Sequence, residues 1–345
     1  MTLAQQTFLT DCSMTHPLTS AQLTPIVTEL AHAALSRWHL DGAKVTLINH
    51  SENWTYRVEP AGAVRPVILR VHRAGYHSLN GIRSELAWMR ALQADVGVKT
   101  PQAIPGRDGA DIQSVSHPAL ETARHCVLFE FIDGVEPPQH DLMAPFRQLG
   151  EVAARCHSHA ETWTRPAYFD RLSWDFEHAV GATPNWGDWR QGPACTPARA
   201  AVIQRAVDLL EKRLAAFGQA RNRYGYIHAD FRLANLLLHE GDVRVIDFDD
   251  SGLGWFLYDA ATAVSFFETR ADVPDLIEAW KEGYRRRRTL SAEEETEIDS
   301  FILLRRLTLF AWMGSHSETD LAQTEGPGYA QGSAELAEKY LTRFG

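Results

Sequence analysis

Acidic and amide side chains gather around one predicted β-hairpin in the sequence. Two apolar runs, residues 236–238 and 243–248, flank a short polar turn at 240–242, a pattern typical of two antiparallel strands. At the open end of this hairpin stand His228, Asp230 and Asn235 before the first strand and Asp247 and Asp249 on the second. Since side chains alternate along a strand, we expect Asp247 and Asp249 on one face. Carboxylate and amide oxygens that converge in this way predict a Mg²⁺ site suited to phosphoryl transfer.

The spacing of these residues follows a known template of phosphoryl transfer. His228, Asp230 and Asn235 fit the kinase catalytic-loop pattern H-x-D-x-x-x-x-N, in which the Asp accepts the proton of the attacking hydroxyl and the Asn binds a metal ion. Asp247 is followed by phenylalanine, as in the D-F-G motif, whose Asp binds the metal that bridges the phosphates. Asp and Asn are also common turn residues, but three coincident spacings favour the catalytic interpretation over turn capping.

Three further roles follow from positions in this stretch. Arg232 lies two residues after Asp230, where we expect its planar guanidinium to contact the transferring phosphoryl group. His228 is expected to brace the loop through a hydrogen bond instead of handling protons. Asp249 stands at the glycine position of D-F-G and is expected to supply a further metal oxygen or to hold Arg232.

On these motifs the chain resembles the aminoglycoside phosphotransferase/choline kinase-like superfamily, which also includes bacterial homoserine kinases of the second type and a bacterial stress-response kinase. The resemblance runs from about residue 45 to the last helix and is densest in 224–260. It implies an α+β, two-lobed protein-kinase-like fold, with a small antiparallel sheet in the N-terminal lobe and a mainly helical C-terminal lobe. It also implies Asp230 as the catalytic base, Asn235 and Asp247 as magnesium ligands, and Asp259 as a carboxylate that braces the catalytic loop.

The first hundred residues have the order of elements expected of a kinase small lobe. Residues 1–20 lack periodicity and are expected to form a loosely ordered arm. The apolar patterns that follow predict a helix over 23–40, strands at 45–48, 55–58 and 66–71, and a helix at 82–92.

The predicted nucleotide site departs from the protein-kinase pattern in two places. The loop at 50–54 contains no glycine, so backbone amides near Ser51 and Asn53 would take the place of a glycine-rich phosphate cradle. Arg70 stands where the lysine of V-A-I-K pairs with the α- and β-phosphates. Glu85 borders the apolar face of its predicted helix, so we expect it to pair with Arg70; an ordinary surface ion pair is the alternative.

An apolar run before residue 130 ends in a glycine turn and resembles the hinge between kinase lobes. Backbone groups of Glu130, Phe131 and Ile132 are expected to bind adenine, although a core strand that ends in a turn fits the same residues. The lobe boundary is therefore predicted after residue 132. Residues 1–132 would hold the arm, the first helix and the nucleotide-binding small lobe, and residues 133–345 the catalytic and acceptor-binding helical lobe.

Three other patterns have ordinary explanations that compete with functional ones. The tryptophan-rich segment 163–200 is expected either to line the acceptor pocket, with Asp175 and Asp188 as candidates to bind a cationic acceptor, or to pack as a surface excursion. Cys, His, Ser and His at 156–159 do not predict a zinc site, because side chains fan apart on a helix. The basic run at 285–288 is typical of an exposed helix end.

Composition disfavours several classes of function. The 345 residues carry a formal net charge of −10, which argues against binding to nucleic acid or to an anionic membrane surface. No apolar stretch is long enough for a membrane span, and the first residues lack a signal-peptide pattern. Four scattered cysteines without a C-x-x-C pair favour a reduced, cytoplasmic setting. The oligomeric state does not follow from these patterns.

The sequence therefore predicts a phosphotransferase that uses ATP and Mg²⁺ to phosphorylate a hydroxyl of a small molecule, of homoserine, amino-alcohol or aminoglycoside type. Only a short segment separates Asp247 from Asp259, which leaves no room for an activation segment. A Ser/Thr protein kinase of the stress-response type is one alternative. A nucleotide-binding pseudokinase scaffold is the other, because Arg70 replaces the lysine and the phosphate loop lacks glycine.

Overall fold

The N-terminal part of this computed structural model, which describes residues 19–50, 53–62 and 65–345, is built on a five-stranded antiparallel sheet. The strands are β1 (Lys44–His50), β2 (Trp54–Glu59), β3 (Val67–Val71), β4 (Ile112–Val115) and β5 (Arg124–Glu130). Their order across the sheet is β1-β2-β3-β5-β4. The three strands predicted before residue 72 are confirmed, whereas β4 was not predicted. The predicted N-terminal arm lies outside the described residues.

Two helices flank this sheet. Helix α1 (Ser20–Ala34) begins with a capping box between Thr19 and Gln22 and continues into a 3₁₀ turn, Leu35–Trp38. Its buried residues share one apolar core with the sheet. Helix α2 (Leu79–Val96) begins at the Ser78 cap and ends at Gly97, which has a left-handed φ of 67°. The apolar face of α2 packs into the core of the helical part, so α2 joins the two halves.

The rest of the chain is mainly helical, with two small antiparallel sheets. Its helices are α3 (Met143–Thr162), α4 (Phe176–Ala179), α5 (Pro197–Phe217), α6 (Tyr258–Thr262), α7 (Val273–Tyr284), α8 (Ala292–Ser315) and α9 (Asp320–Phe344). Strand β6 (Tyr224–Ile227) pairs with β9 (Gly252–Trp255), and β7 (Leu236–His239) pairs with β8 (Asp242–Val245). The last helix was predicted as a short element at 334–340, which is wrong. Packing against α5 and α8 overrides the glycines and the proline at 326–328.

The predicted hairpin at 236–248 is present, but its second strand is shorter than expected. Glu240 and Gly241 form the two-residue turn with positive φ at both positions, the geometry that favours tight hairpins. Strand β8 ends at Val245, so Asp247 and Asp249 lie in a turn beyond the strand. The expectation that strand alternation places them on one face is therefore wrong. Asp247 has a φ of 62°, which turns the chain away from the ladder.

Helices α3 and α7 cross at two glycines that let their backbones touch. A Cβ atom at Gly150 would overlap the carbonyl oxygen of Trp280, and one at Gly283 would overlap the carbonyl oxygen of Arg147. This close crossing fixes the position of α3, whose C-terminal half reaches the candidate site.

Two surface features bear on possible partners. The basic run at 285–288 is engaged in ion pairs with Glu151, Glu161 and Glu295. Among the described helices, none combines the length and the apolar character that crossing a lipid bilayer requires.

Candidate active site

The turn between β6 and β7 is held by one buried carboxylate, Asp259. Its two oxygens accept hydrogen bonds from the backbone amides of His228, at 3.2 Å, and Ala229, at 2.7 Å. Asp259 is completely buried and also contacts Nε2 of His157 at 2.9 Å. Ala229 has a φ of 65°, an unfavourable conformation for alanine that these bonds stabilise. The predicted bracing role of Asp259 is confirmed.

His228 is a structural residue of this turn, as predicted. Its Nδ1 accepts the backbone N–H of Asp230 at 3.2 Å, so its Nε2 carries the proton and donates to the carbonyl oxygen of Ile246 at 3.2 Å. The ring stacks on Phe231 and packs edge-on against Phe248. Burial lowers the pKa of His228, which keeps the imidazole neutral.

Asp230 lies at the centre of the site and receives hydrogen bonds on both oxygens. Its Oδ2 accepts from Nδ2 of Asn235 at 2.7 Å and from Nε of Arg232 at 3.1 Å. Its Oδ1 accepts from Nη2 of Arg305, a residue of helix α8 that is almost completely buried. Although burial by itself raises the pKa of the Asp230 carboxyl, the guanidinium groups of Arg232 and Arg305 lower it below its usual value. The carboxylate is therefore ionised, as a proton acceptor requires.

Asn235 is oriented by its own hydrogen bonds. Its Nδ2 donates to the backbone oxygen of Asp230 at 3.0 Å as well as to the Asp230 carboxylate. Both amide protons are thereby used on one side, which leaves Oδ1 to face away from Asp230. The backbone oxygen of Asn235 accepts the amide of Ile246 at 3.0 Å and ties it to the chain next to Asp247.

Arg70 joins the sheet, helix α2 and the Asp247 turn. Its Nη1 donates to Oε1 of Glu85 at 2.7 Å, and its Nη2 donates to Oδ1 of Asp247 at 3.2 Å. Arg70 and Glu85 are both buried, so the predicted pair is present and the surface ion-pair alternative is wrong. Burial, reinforced by Asp249 and Asp230 and only partly offset by Arg70, raises the pKa of Asp247. A carboxylate with a raised pKa gains from a bound cation.

Asp249 faces the sheet side of the site. Its oxygens lie 3.5 Å from Nε2 of His77, 3.8 Å from Nδ1 of His72 and 3.7 Å from Nη1 of Arg70. The expectation that it holds Arg232 is wrong, since the Nε of Arg232 donates to Asp230. A role for Asp249 as metal ligand stays a prediction.

A small cavity of about 70 Å³ lies between the sheet and the helices. The buried Asn235 does not line it and contacts it through Asp230. The charged lining of the cavity is formed by Asp230, Asp247, Asp249, Asp250, Arg70, Arg232 and Arg305. A larger cavity of about 740 Å³ adjoins it at Arg232 and Trp312. Two residues at the small cavity have strained backbones with positive φ, Asp247 and Phe266, and strain of this kind concentrates at functional sites.

The predicted nucleotide-binding residues are distributed unevenly around this cavity. Asn53 lines it, and its side-chain oxygen accepts the backbone amide of Arg73 at 3.1 Å. Ser51 lies outside the described residues. Glu130 ends strand β5, and neither it nor Phe131 and Ile132 lines the cavity. Binding of adenine by these three residues stays a prediction.

The two acids predicted to bind a cationic acceptor do not reach the cavity. Asp175 caps helix α4 through the amide of His178, and Asp188 caps a 3₁₀ turn and pairs with Arg190. Both are therefore explained by local structure. In the same segment Trp174 and Trp189 are buried in the core, whereas Trp186 lines the cavity. The tryptophans at 174 and 189 are thus packed as the structural alternative expects, whereas the lining of an acceptor pocket by this segment stays a prediction.

The helix positions weighed as a zinc site point in different directions. His157 contacts Asp259 and Tyr284, whereas His159 contacts Trp88 and Asp95. The prediction that these side chains point apart is confirmed. His157 and His159 belong to two separate hydrogen-bond networks.

Two residues of the site were missed from the sequence. Arg305 contacts Asp230 across 75 positions of the chain, and the available signal was the pair Arg305 and Arg306 inside the mostly apolar stretch 301–313 of helix α8. Asp250 lines the cavity and accepts the hydroxyl of Tyr76 at 2.6 Å. Burial and the neighbouring carboxylates of Asp230 and Asp249 raise its pKa well above the usual value. The only indication of Asp250 in the sequence was that it is an acidic residue directly after Asp249.

The donor set fits a hard divalent cation that arrives with a nucleotide. The amide oxygen of Asn235 and the carboxylate of Asp247 are oxygen donors of the kind that Mg²⁺ prefers. Over the described part of the chain, no cluster of three or more His, Cys, Asp or Glu residues is arranged to hold a metal ion. Mg²⁺ needs only one or two protein carboxylates when phosphate oxygens complete its shell.

Comparison with known proteins agrees with this geometry. Residues 44–294 match the phosphotransferase enzyme family. The microcompartment-associated aminopropanol kinase superposes with a TM-score of 0.85 at 44% identity, covering 92% of this chain and 98% of that one. The amicoumacin kinase of Bacillus subtilis is 23% identical over 305 residues, 85% of each protein. A complex of the amicoumacin kinase hAmiN with AMP-PNP, Ca²⁺ and amicoumacin shares the fold, with a TM-score of 0.75 at 21% identity over 93% of this chain and 96% of that one.

Proposed function

Because this chain belongs to the phosphotransferase enzyme family and is a kinase that acts on an alcohol group of a small molecule, we propose that it transfers the γ-phosphate of ATP, with Mg²⁺, to a short amino alcohol. The observation that supports the proposal most directly is the meeting of Asp230, Asp247 and Arg70 at one cavity. The 44% identity to an aminopropanol kinase supports the acceptor class. The predicted surroundings are the cytoplasm, where ATP and Mg²⁺ are available.

Asp230 acts as the proton acceptor in this proposal. Its ionised carboxylate takes the proton of the acceptor hydroxyl as the oxygen attacks the γ-phosphorus, and the bond from that phosphorus to the bridging oxygen breaks to release ADP. Arg305 and Asn235 fix the orientation of the carboxylate through direct hydrogen bonds. Arg232 stands between the small and the large cavity, where its guanidinium can stabilise negative charge on the transferring group.

Asn235 and Asp247 would hold the metal, and a bound Mg²⁺ would neutralise the charge that develops on the phosphate oxygens. Arg70 stays paired with Glu85 and Asp247 and orients the Asp247 carboxylate toward the cavity. Arginine keeps the positive charge that a lysine would supply there, with bidentate geometry in addition. These contacts support an active kinase over a scaffold.

Transfer of labelled phosphate tests this proposal. The purified protein is incubated with γ-labelled ATP, Mg²⁺ and a panel of amino alcohols, sugars and aminoglycosides, and labelled small molecules are separated from labelled protein. We expect label on an amino alcohol and loss of transfer when EDTA removes the metal. Label on added proteins alone would support a protein kinase, and nucleotide binding without any transfer or hydrolysis would support a scaffold.

A further inference from the structure

We propose that Asp250 is the residue that binds the ammonium group of the acceptor and so selects amino alcohols over uncharged alcohols. This inference rests on the proposed function, because it assigns a part of the acceptor to a part of the same cavity. No sequence motif of phosphoryl transfer includes Asp250, which follows the predicted metal-binding stretch.

The first support is the pairing of the four carboxylates that line the cavity. Asp230 pairs with Arg232 and Arg305, Asp247 pairs with Arg70, and Asp249 lies within ion-pair distance of Arg70 and His77. Among the residues that the structure describes, Asp250 alone of these four has no cationic side chain in ion-pair contact. A carboxyl group that is half-buried among other carboxylates is unfavourable in its charged form unless a ligand supplies a positive charge.

The arginines that line the cavity form their hydrogen bonds and ion pairs with groups other than Asp250. The guanidinium of Arg305 donates to Asp230, to the carbonyl oxygen of Ala229 at 3.3 Å and to Oγ of Ser265 at 3.0 Å. Arg70 is held by Glu85 and Asp247, and Arg232 donates its Nε proton to Asp230. The positive charge that complements Asp250 is therefore expected from the substrate.

The second support is the rigid setting of Asp250. The hydroxyl of Tyr76 donates to Oδ1 of Asp250 at 2.6 Å, and Nε1 of Trp186 contacts the Tyr76 oxygen at 3.2 Å. Nε1 of the buried Trp174 donates to the backbone oxygen of Asp250 at 2.7 Å. These neutral donors fix the position of the carboxyl group without supplying a positive charge, which is the arrangement expected of a preorganised cation site.

The third support is the remaining wall of the cavity. Trp186, Phe266, Leu309 and Trp312 are apolar lining residues near the carboxylates. Aromatic faces attract ammonium groups, and apolar walls suit a short carbon chain. Asp250 lines the small cavity of about 70 Å³, which adjoins the cavity of about 740 Å³ at Arg232 and Trp312. A compact acceptor, with its hydroxyl at Asp230 and its ammonium at Asp250, fits this space.

A substrate pair that differs only in charge tests the inference. The acceptors are 1-amino-2-propanol and 1,2-propanediol, assayed with saturating MgATP on the wild type, Asp250→Asn and the control Asp188→Asn. Asn at 250 keeps the shape and still accepts the Tyr76 hydroxyl, whereas Asp188 pairs with Arg190 away from the cavity. We expect the wild type to prefer the amino alcohol, and Asp250→Asn to raise the KM for it roughly 10- to 100-fold, with the KM for ATP unchanged.

The outcomes separate this inference from the proposed function. Equal losses of kcat/KM for both acceptors in Asp250→Asn, or an unchanged KM for the amino alcohol, would overturn the role of Asp250. If the diol is not phosphorylated at all, the role of Asp250 is judged from the KM for the amino alcohol alone: an increase in Asp250→Asn supports it, and an unchanged value overturns it. Transfer by the wild type to both acceptors with equal efficiency would refute the inference while leaving a small-molecule kinase intact, and transfer to no alcohol would refute the proposed function itself.

A second variant covers the case in which Asp250→Asn does not fold. Tyr76→Phe removes the hydrogen bond that positions the carboxylate but leaves the charge in place. We expect a roughly 3- to 10-fold increase in the KM for the amino alcohol and little change for the diol, corresponding to one hydrogen bond. An unchanged preference between the two acceptors in this variant would count against the assignment.

Discussion

At the scale of single residues, the site is a set of carboxylates whose ionisation is controlled by buried arginines. Asp230 is ionised because Arg232 and Arg305 offset the cost of its burial. Asp247 has a raised pKa because Arg70 only partly offsets the same cost, so it benefits from a cation. The two acids are thus suited to different tasks, proton acceptance and metal binding, by the charges around them.

Replacement of Asp230 by Asn tests the assignment of the base. The amide cannot take up the proton of the acceptor hydroxyl, so we expect kcat to fall by about 10³-fold or more, while nucleotide affinity changes little. Steady-state kinetics and titration with a nonhydrolysable ATP analogue measure the two quantities. Turnover close to that of the wild type would show that another group accepts the proton.

Replacement of Arg305 by Lys tests its contribution to the position of Asp230. A lysine cannot reach the three separate acceptors that Arg305 contacts, so we expect kcat to fall about 10- to 100-fold with little change in the KM for ATP. Arg306→Lys is the matched control, because Arg306 is the next residue of α8 and pairs with Glu268 outside the cavity lining. If both variants lost the same activity, the effect would belong to the stability of α8.

At the scale of elements, the site depends on contacts that fix the positions of helices α3 and α7 relative to the turn that Asp259 braces. Helix α3 supplies His157, which contacts Asp259 and, through its Nδ1, the hydroxyl of Tyr284 on α7 at 2.9 Å. The close crossing of α3 and α7 at Gly150 and Gly283 brings these side chains together. The geometry of the turn between β6 and β7 is therefore coupled to a helix crossing about two turns before His157 on α3.

Replacement of Gly150 by Ala tests this crossing. The added methyl group would overlap the backbone of Trp280, so we expect the free energy of unfolding to fall by about 3 kcal/mol or more. Gly328→Ala is the control: it lies in helix α9 with open space around the new methyl group, and we expect it to stabilise by about 0.5–1 kcal/mol. Urea denaturation measures both, and equal effects in the two variants would contradict the packing argument.

At the scale of the whole molecule, several polar groups are buried in forms that depend on pH. His157 and His228 are completely buried, and burial lowers the pKa of both imidazoles. Each is therefore neutral in the folded protein and takes up a proton on unfolding once the pH is below about 6.5. The stability that these neutral histidines contribute is present above that pH and is lost as the pH falls.

Comparison of the wild type with His157→Gln tests this linkage. Between pH 8 and pH 5.5 we expect the wild type to lose more stability than the variant, because the variant has one fewer buried group that must be protonated. Below pH 6.5, the slopes of the free energy of unfolding against pH should differ between the two proteins by no more than about 1.4 kcal/mol per pH unit. Unfolding curves measured at half-unit steps of pH give the slopes, and parallel curves for the two proteins would contradict the prediction.

The local motifs of the sequence predicted the fold class and the class of enzyme, a kinase that acts on an alcohol group. The spacing of His228, Asp230 and Asn235 and the acid at 247 predicted the catalytic turn, because these residues lie close in the chain and their geometry is set by one hairpin. The alternation of apolar residues predicted most strands of the sheet for the same reason. Side chains that stabilise their own turn or strand are visible in the local pattern.

Only the tertiary structure decided which distant residues complete the site. Arg305 and Tyr76 reach Asp230 and Asp250 from elements 75 and 174 positions away, and no local pattern specifies such pairs. The same holds for Asp175 and Asp188, whose acidity suggested a ligand but whose position makes them helix caps. The sequence specifies the type and charge of each residue directly. The partner of a buried charge, in contrast, depends on how separate helices and strands pack against each other.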